Sequence, residues 1–208
     1  MSVVVPPEAR RWLDAPVPPG ARVTVAGVAG GVGTTTVTGL LWWALTTYGH
    51  RRVALLDHGG GSLAARLPSA PPVPAADLEL HDAGSLVGAA AHLPGACVLV
   101  CGAHAAGLTA AATAVRDGGA HGRCVVVPVA VTGTALPGAA LLATARRLGL
   151  DAPLVPLHRS RALAAGGDVP GPETARSLAD AHRAGVAVAA ETMRVLVSMG
   201  TSPHAKHG

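Results

Sequence analysis

The sequence predicts an α/β fold, a doubly wound and mainly parallel sheet with helices on both faces. Three observations carry this. Short runs rich in Val, Leu, Ala and Cys at residues 22–26, 52–56, 97–101, 124–131 and 154–157 are largely apolar without a polar alternation, the pattern of strands buried on both faces. Segments of helical length lie between those runs, as crossovers between parallel strands require. The chain has 208 residues, enough for one domain around one sheet.

Taken in order, residues 1–20 hold five of the 17 prolines and predict a loose arm with one helical turn near 9–13. A β-branched strand at 22–26 runs into a Gly-rich turn and a helix over 35–48. A second strand, 52–56, ends in Asp57 and is followed by a Gly-rich turn, the segment 62–67 and a Pro-rich loop at 68–74. A short strand at 78–80, a helix at 85–92 and a buried strand at 97–101 come next. Then come a helix at 109–116, the longest strand at 124–131, a helix at 136–148, a last strand at 154–157 and a terminal helix over 173–199. Leu178, Gly185, Ala189, Met193 and Leu196 recur at three-to-four spacing, which gives that helix one apolar face for docking on the sheet. The reading is an N-terminal arm (1–20), one α/β domain (21–200) and a flexible tail (201–208).

Hydrophobic residues are 50% of the chain, yet aromatics are 2% and Phe is absent. The core must therefore be built from Ala, Val and Leu at close backbone approach, which the 27 glycines suit. Charged residues at 13% exclude disorder by self-repulsion. The Ala, Gly, Arg, Val and Pro bias is of the kind a GC-rich, actinobacterial-type genome imposes. The net charge is +4, but the basic residues are scattered in ones and twos, which reads as solvated surface and gives no strong nucleic-acid signal.

Cys97, Cys101 and Cys124 are odd in number and lie in apolar runs, which fits buried reduced thiols and a cytoplasmic protein. Residues 86–115 and 124–145 hold no Asp, Glu, Lys or Arg, but Pro and Gly interrupt both, so neither reads as a transmembrane segment. Peripheral membrane contact has only Arg183 and Arg194 near the terminal helix to draw on. Of the adjacent Trp42 and Trp43, at most one can face the core.

The segment that points to chemistry is RVTVAGVAGGVGTTTVT, residues 22–38. A strand, a Gly-rich turn and a helix opening on three threonines make a phosphate cradle. Backbone N–H groups converge where the helix macrodipole is positive. Gly30, Gly31 and Gly33 let the backbone wrap closely, and Thr35 or Thr36 offers a hydroxyl to Mg²⁺. Asp57, at a strand end, suits either a Mg²⁺ site or a cap on the next turn. Arg159 and Arg161 follow the last strand, which places them at the carboxyl edge as candidate anion partners.

This loop resembles the deviant Walker A loop of the MinD/ParA family of P-loop NTPases. Gly30, Gly31, Val32, Gly33, Thr35 and Thr36 match that pattern, whereas Ala29 stands at the signature lysine and Thr34 at the phosphate-binding lysine. In RRVALLDHGGGSLAARL, Asp57 falls on the first of the family's two aspartates and Gly59 on the second, catalytic one. ACVLVCGA resembles the Walker B strand, with Cys101 in place of its aspartate. The one lysine of the chain is Lys206, near its end, so no lysine within the fold replaces those missing.

The resemblance thus implies a cofactor site for ATP or ADP with Mg²⁺, weak or empty. Gly30, Gly31, Val32, Gly33, Thr34, Thr35, Thr36, Arg159 and Arg161 would face the nucleotide, with Thr35 and Asp57 on the metal. It implies a pseudo-ATPase with no catalytic residue. Such a protein would act as a scaffold or regulator in positioning, partition or assembly of a cellular machine, through protein partners or an ATP-independent homodimer. A nucleotide switch or slow ATPase, and a nucleic-acid-binding partition component, are the alternatives.

Overall fold

The computed structural model describes residues 3–60, 62–68, 70–71, 73–85, 95–118, 122–131, 135–164, 166–173 and 176–201. Five parallel strands form one sheet: β1 (Ala21–Gly27), β2 (Val53–Asp57), β3 (Leu78–Ser85), β4 (Ala96–Gly102) and β5 (Cys124–Val129). Their order across the sheet is β2-β3-β1-β4-β5. β1 is central, with Val23 opposite Leu80 on one side and Val25 opposite Val98 on the other. Residues 154–157 do not form a full strand. They add two parallel bridges beyond β5, Val126 to Leu154 and Val129 to Leu157.

β3 is longer than the 78–80 strand expected from sequence and is interior to the sheet. Its alternation of Leu78 and Leu80 with Glu79 and His81 hid it among loop-like residues, because only one face of this strand is fully buried. The helix expected at 85–92 lies outside the described residues, apart from Ser85, which ends β3.

Helices cover both faces, as the consecutive apolar strands require. Ala96, Val98 and Val100 of β4 belong to a core shared with the first helices and the C-terminal one. Cys97, Leu99 and Cys101 point the other way, onto α4 (Ala105–Asp117) and α5 (Gly138–Arg147). On the first face lie α1 (Pro7–Leu13), α2 (Thr34–Trp43, continued as a π-helical turn over Ala44–Tyr48) and α3 (Ser62–Arg66). α6 is the single turn Arg161–Ala164, and α7 spans Ala179–Thr201 after a 3₁₀ turn at Arg176–Leu178.

α7 docks as expected. Leu178, Ala189, Met193 and Leu196 are buried, and Gly185 lies so close to α2 that a Cβ there would come within 2.9 Å of the Leu40 carbonyl. The Pro-rich segment expected to be loose is packed. α1 rests on α7, Leu13 is fully buried, and Arg10 donates to the Tyr48 carbonyl at 2.6 Å. All three cysteines are buried and free of disulfides. Among the described residues no helix is long and apolar enough to cross a membrane.

Candidate functional site

Because the strands are parallel, their carboxyl ends share one edge, where a doubly wound sheet binds ligands. Four strand ends meet there around the β1–α2 turn. The turn leaves β1 at Gly27, and Val28 N–H donates to the Val100 carbonyl of β4 at 2.9 Å. Gly31 and Gly33 have φ of +74° and +94°, the left-handed region that favours glycine. Gly33 is the N-cap of α2 and carries no side chain to cap it. Among the described residues, no N–H from Gly30 to Thr36 has a hydrogen-bond acceptor. The open amides at the positive end of a helix are an anion cradle.

The three threonines do different things. Thr34 is buried and turned back over the strand, so that a Cβ on Gly27 would sit 2.4 Å from its Oγ1. Its hydroxyl thus lies against Gly27, where the turn leaves β1. The hydroxyl of Thr35 lies 3.0 Å from Ser62 Oγ at the start of α3. Thr36 Oγ1 accepts from Arg66 Nη2 at 2.9 Å.

Asp82 of β3, which sequence reasoning missed, is a carboxylate that meets Thr35 at the start of α2. It is fully buried; Oδ1 accepts from Gly84 N–H at 3.0 Å, and Oδ2 has no hydrogen-bond partner. Burial pushes this carboxyl above its ordinary value, and the Asp57 charge adds to the rise. Gly84 N–H, the Thr35 hydroxyl and His58 oppose it. Thr35 therefore faces the carboxyl without closing a hydrogen bond to Oδ2. The available signal was an apolar–polar alternation, L-E-L-H, ending in Asp before Ala-Gly.

Asp57 is the register partner of Asp82 on β2. Its Oδ1 accepts from Gly59 N–H at 2.7 Å and its Oδ2 from Leu63 N–H at 2.9 Å, so it caps the turn into α3. Cys101 of β4 is a buried free thiol, as its place in an apolar run predicts. Its side chain points into the α4 and α5 core, and burial lifts the thiol to about 12. The acidic side chains at this edge are Asp57 of β2 and Asp82 of β3.

Arg159 and Arg161 lie past the rung at Leu157, exposed, and line a cleft of about 380 Å³ with His158, Ser160, Ser177 and Asp180. They make no hydrogen bond with the β1–α2 turn among the described residues. Trp42 is in the core, while Trp43 shields the 168–171 segment and donates to the Val169 carbonyl at 2.8 Å. His58 Nε2 and His81 Nδ1 are 2.9 Å apart with stacked rings, and His81 leads through Glu79 to Arg22. No group of three or more His, Cys, Asp or Glu side chains among the described residues could by itself hold a metal ion.

No protein-family model matches the chain, and no curated protein matches it significantly.

Proposed function

We propose that this chain is a MinD/ParA-like P-loop protein that holds a Mg²⁺-bound nucleotide, ATP or ADP, without turning it over. It would act through protein contacts as a scaffold or regulator in positioning, partition or assembly. The observation that carries the reading is Asp82 Oδ2, a buried carboxylate oxygen with no partner, facing Thr35 beside a turn of open amides. An orphaned buried acceptor is costly unless something completes it, and a hard cation beside phosphate oxygens would do so.

The chemistry of the donor set fits Mg²⁺. Thr35 Oγ1 and Asp82 Oδ2 are oxygen donors, and Mg²⁺ keeps several waters in place of a full protein cage. Bound there, the ion would offset the charge of the phosphates and of Asp82. Gly30, Gly31, Val32 and Gly33 would donate backbone N–H groups to the phosphates, joined by Thr35 and Thr36 at the start of α2. Asp57 would hold the β2–α3 turn in register with them.

Turnover is a different demand. Ala29 and Thr34 stand where the resembled family has lysines, and Gly59 where it has a second aspartate. Removing one desolvated charge partner costs about 2–5 kcal/mol in binding. Stabilising charge on a transferring phosphoryl group depends on such cations still more.

Isothermal titration with Mg-ATP, Mg-ADP and Mg-GTP tests the reading. Micromolar to sub-millimolar affinity is expected, weakened at least tenfold in Thr35→Ala, with no phosphate release from ATP. Absence of heat up to millimolar nucleotide would overturn it. Light scattering tests the partner reading, which expects any homodimer to persist without nucleotide.

A further inference from the structure

We propose that Arg66 is the cation of the phosphate site, supplying from α3 the positive charge that the β1–α2 turn itself lacks. The proposal rests on the reading of that turn as a polyphosphate site. Arg66 is the last residue of α3, and its guanidinium crosses to the first turn of α2. Nη2 donates to Thr36 Oγ1 at 2.9 Å and reaches the Leu163 carbonyl at 3.4 Å, while Nη1 donates to the Gly167 carbonyl at 2.7 Å. A guanidinium offers five N–H donors in one plane. These three bonds leave Nε–H and one Nη1–H for another acceptor.

Arg22, Arg52, Arg183 and Arg194 each pair with a carboxylate, respectively Glu79, Asp77, Asp180 and Glu191. Every acceptor of Arg66 among the described residues is a neutral oxygen, as for Arg10, Arg51 and Arg147, so its charge is positioned without being neutralised. What sets Arg66 apart from those three is its place: it is held at the amino-terminal end of α2, where the macrodipole disfavours a cation. A half-buried, unneutralised cation at the positive end of a helix is unfavourable by itself and becomes favourable when an anion binds between them. Asp82 adds an independent sign of a ligand, because its unpartnered buried Oδ2 calls for a cation on the other side of the same turn. A Mg²⁺-bound polyphosphate satisfies both, with metal toward Asp82 and phosphate oxygens toward Arg66. The carbonyls of Leu163 and Gly167 then act as the rack that aims the guanidinium.

The ligand class is a di- or triphosphate, free or on a nucleoside, and Mg²⁺-pyrophosphate is the simplest probe. Titration of the full chain with this probe should show Arg66→Gln binding about 30- to 1,000-fold more weakly than wild type, and Arg66→Lys recovering part of the loss. Both variants lose the planar clamp on the 163–167 segment, so a merely structural role would lower the melting temperature of both alike and leave Lys no better than Gln in binding. A second measurement uses the wild-type chain alone. Arginine-specific labelling with phenylglyoxal, mapped by mass spectrometry, should slow at Arg66 when Mg²⁺-pyrophosphate is present. Wild-type binding with Arg66→Gln unimpaired, or with Arg66 unprotected, would overturn the role of Arg66 and leave the site standing. No binding by wild type would overturn the site and this role together.

Discussion

Two strand-to-helix turns lie side by side at the same edge of the sheet and are built on opposite principles. The β4–α4 turn is closed. His104 caps α4 by accepting from Gly107 N–H at 3.1 Å, and a Cβ on Gly107 would sit 2.2 Å from the Gly102 carbonyl. The β1–α2 turn is open. Its N-cap has no side chain, its amides lack acceptors, and a Cβ on Gly30 or Gly31 would meet nothing within 4 Å. Both turns are rich in small residues, so composition alone would call them equivalent. What separates them is where the helix amides go. A turn that satisfies its own donors serves the fold, whereas one that leaves them free at the edge of a packed sheet is shaped for something that is not part of the chain.

The largest expected effect breaks the closed turn. Gly107→Ala forces a methyl against backbone that cannot move away, an overpacking cost of about 3 kcal/mol. In a domain of this size that is a fall of roughly 6–12 °C in melting temperature, read by calorimetry or circular dichroism. A change under about 2 °C would mean that the tight packing at the Gly102 carbonyl can relax.

The next effect has the opposite sign and belongs to the open side. Burial raises the Asp82 carboxyl in the folded state, so its ionisation disfavours the fold. Without metal, stability from this group is full below the ordinary value of 3.8 and is lost as pH climbs through the raised one. Asp82→Asn removes that loss. The variant should be more stable than wild type by about 1–2 kcal/mol at pH 7 in chelator, with the gain fading toward pH 3. It should also lose the stabilisation that Mg²⁺-pyrophosphate gives wild type. Equal melting temperatures at pH 7, together with retained ligand stabilisation, would show that Asp82 belongs to the frame alone.

The same contrast explains what sequence could and could not reveal. The parallel sheet was legible because β1, β4 and β5 are buried on both faces and cannot be written in polar residues. α7 was legible because its apolar face repeats at helical spacing over many turns. β3 reads as shorter than it is because Glu79 and His81 occupy its less buried face, and its far end carries Asp82, the carboxylate that meets Thr35. Arg66 was passed over for a different reason. Its approach to Thr36 spans 30 positions and depends on how α3 lies across α2, which no local pattern encodes. Arg159 and Arg161 follow from the position of a strand end, a rule that finds the edge of a sheet without saying what a side chain there meets.

The smallest expected effect on stability is the sharpest question about the open turn. Gly30 is not held at positive φ, and a Cβ there would meet open space, so neither backbone strain nor packing requires glycine. Gly30→Ala should therefore change the melting temperature of the ligand-free chain by less than about 1 °C, an effect within roughly 0.5 kcal/mol. If the turn is retained only as a packing element, nothing else should change. If it wraps a polyphosphate, the added methyl lies where the backbone must approach the ligand, and the melting-temperature rise produced by Mg²⁺-pyrophosphate should shrink while the ligand-free value stays put. A thermal-shift titration of wild type beside Gly30→Ala separates the two, since the first outcome leaves the two curves superimposed and the second parts them as ligand is added.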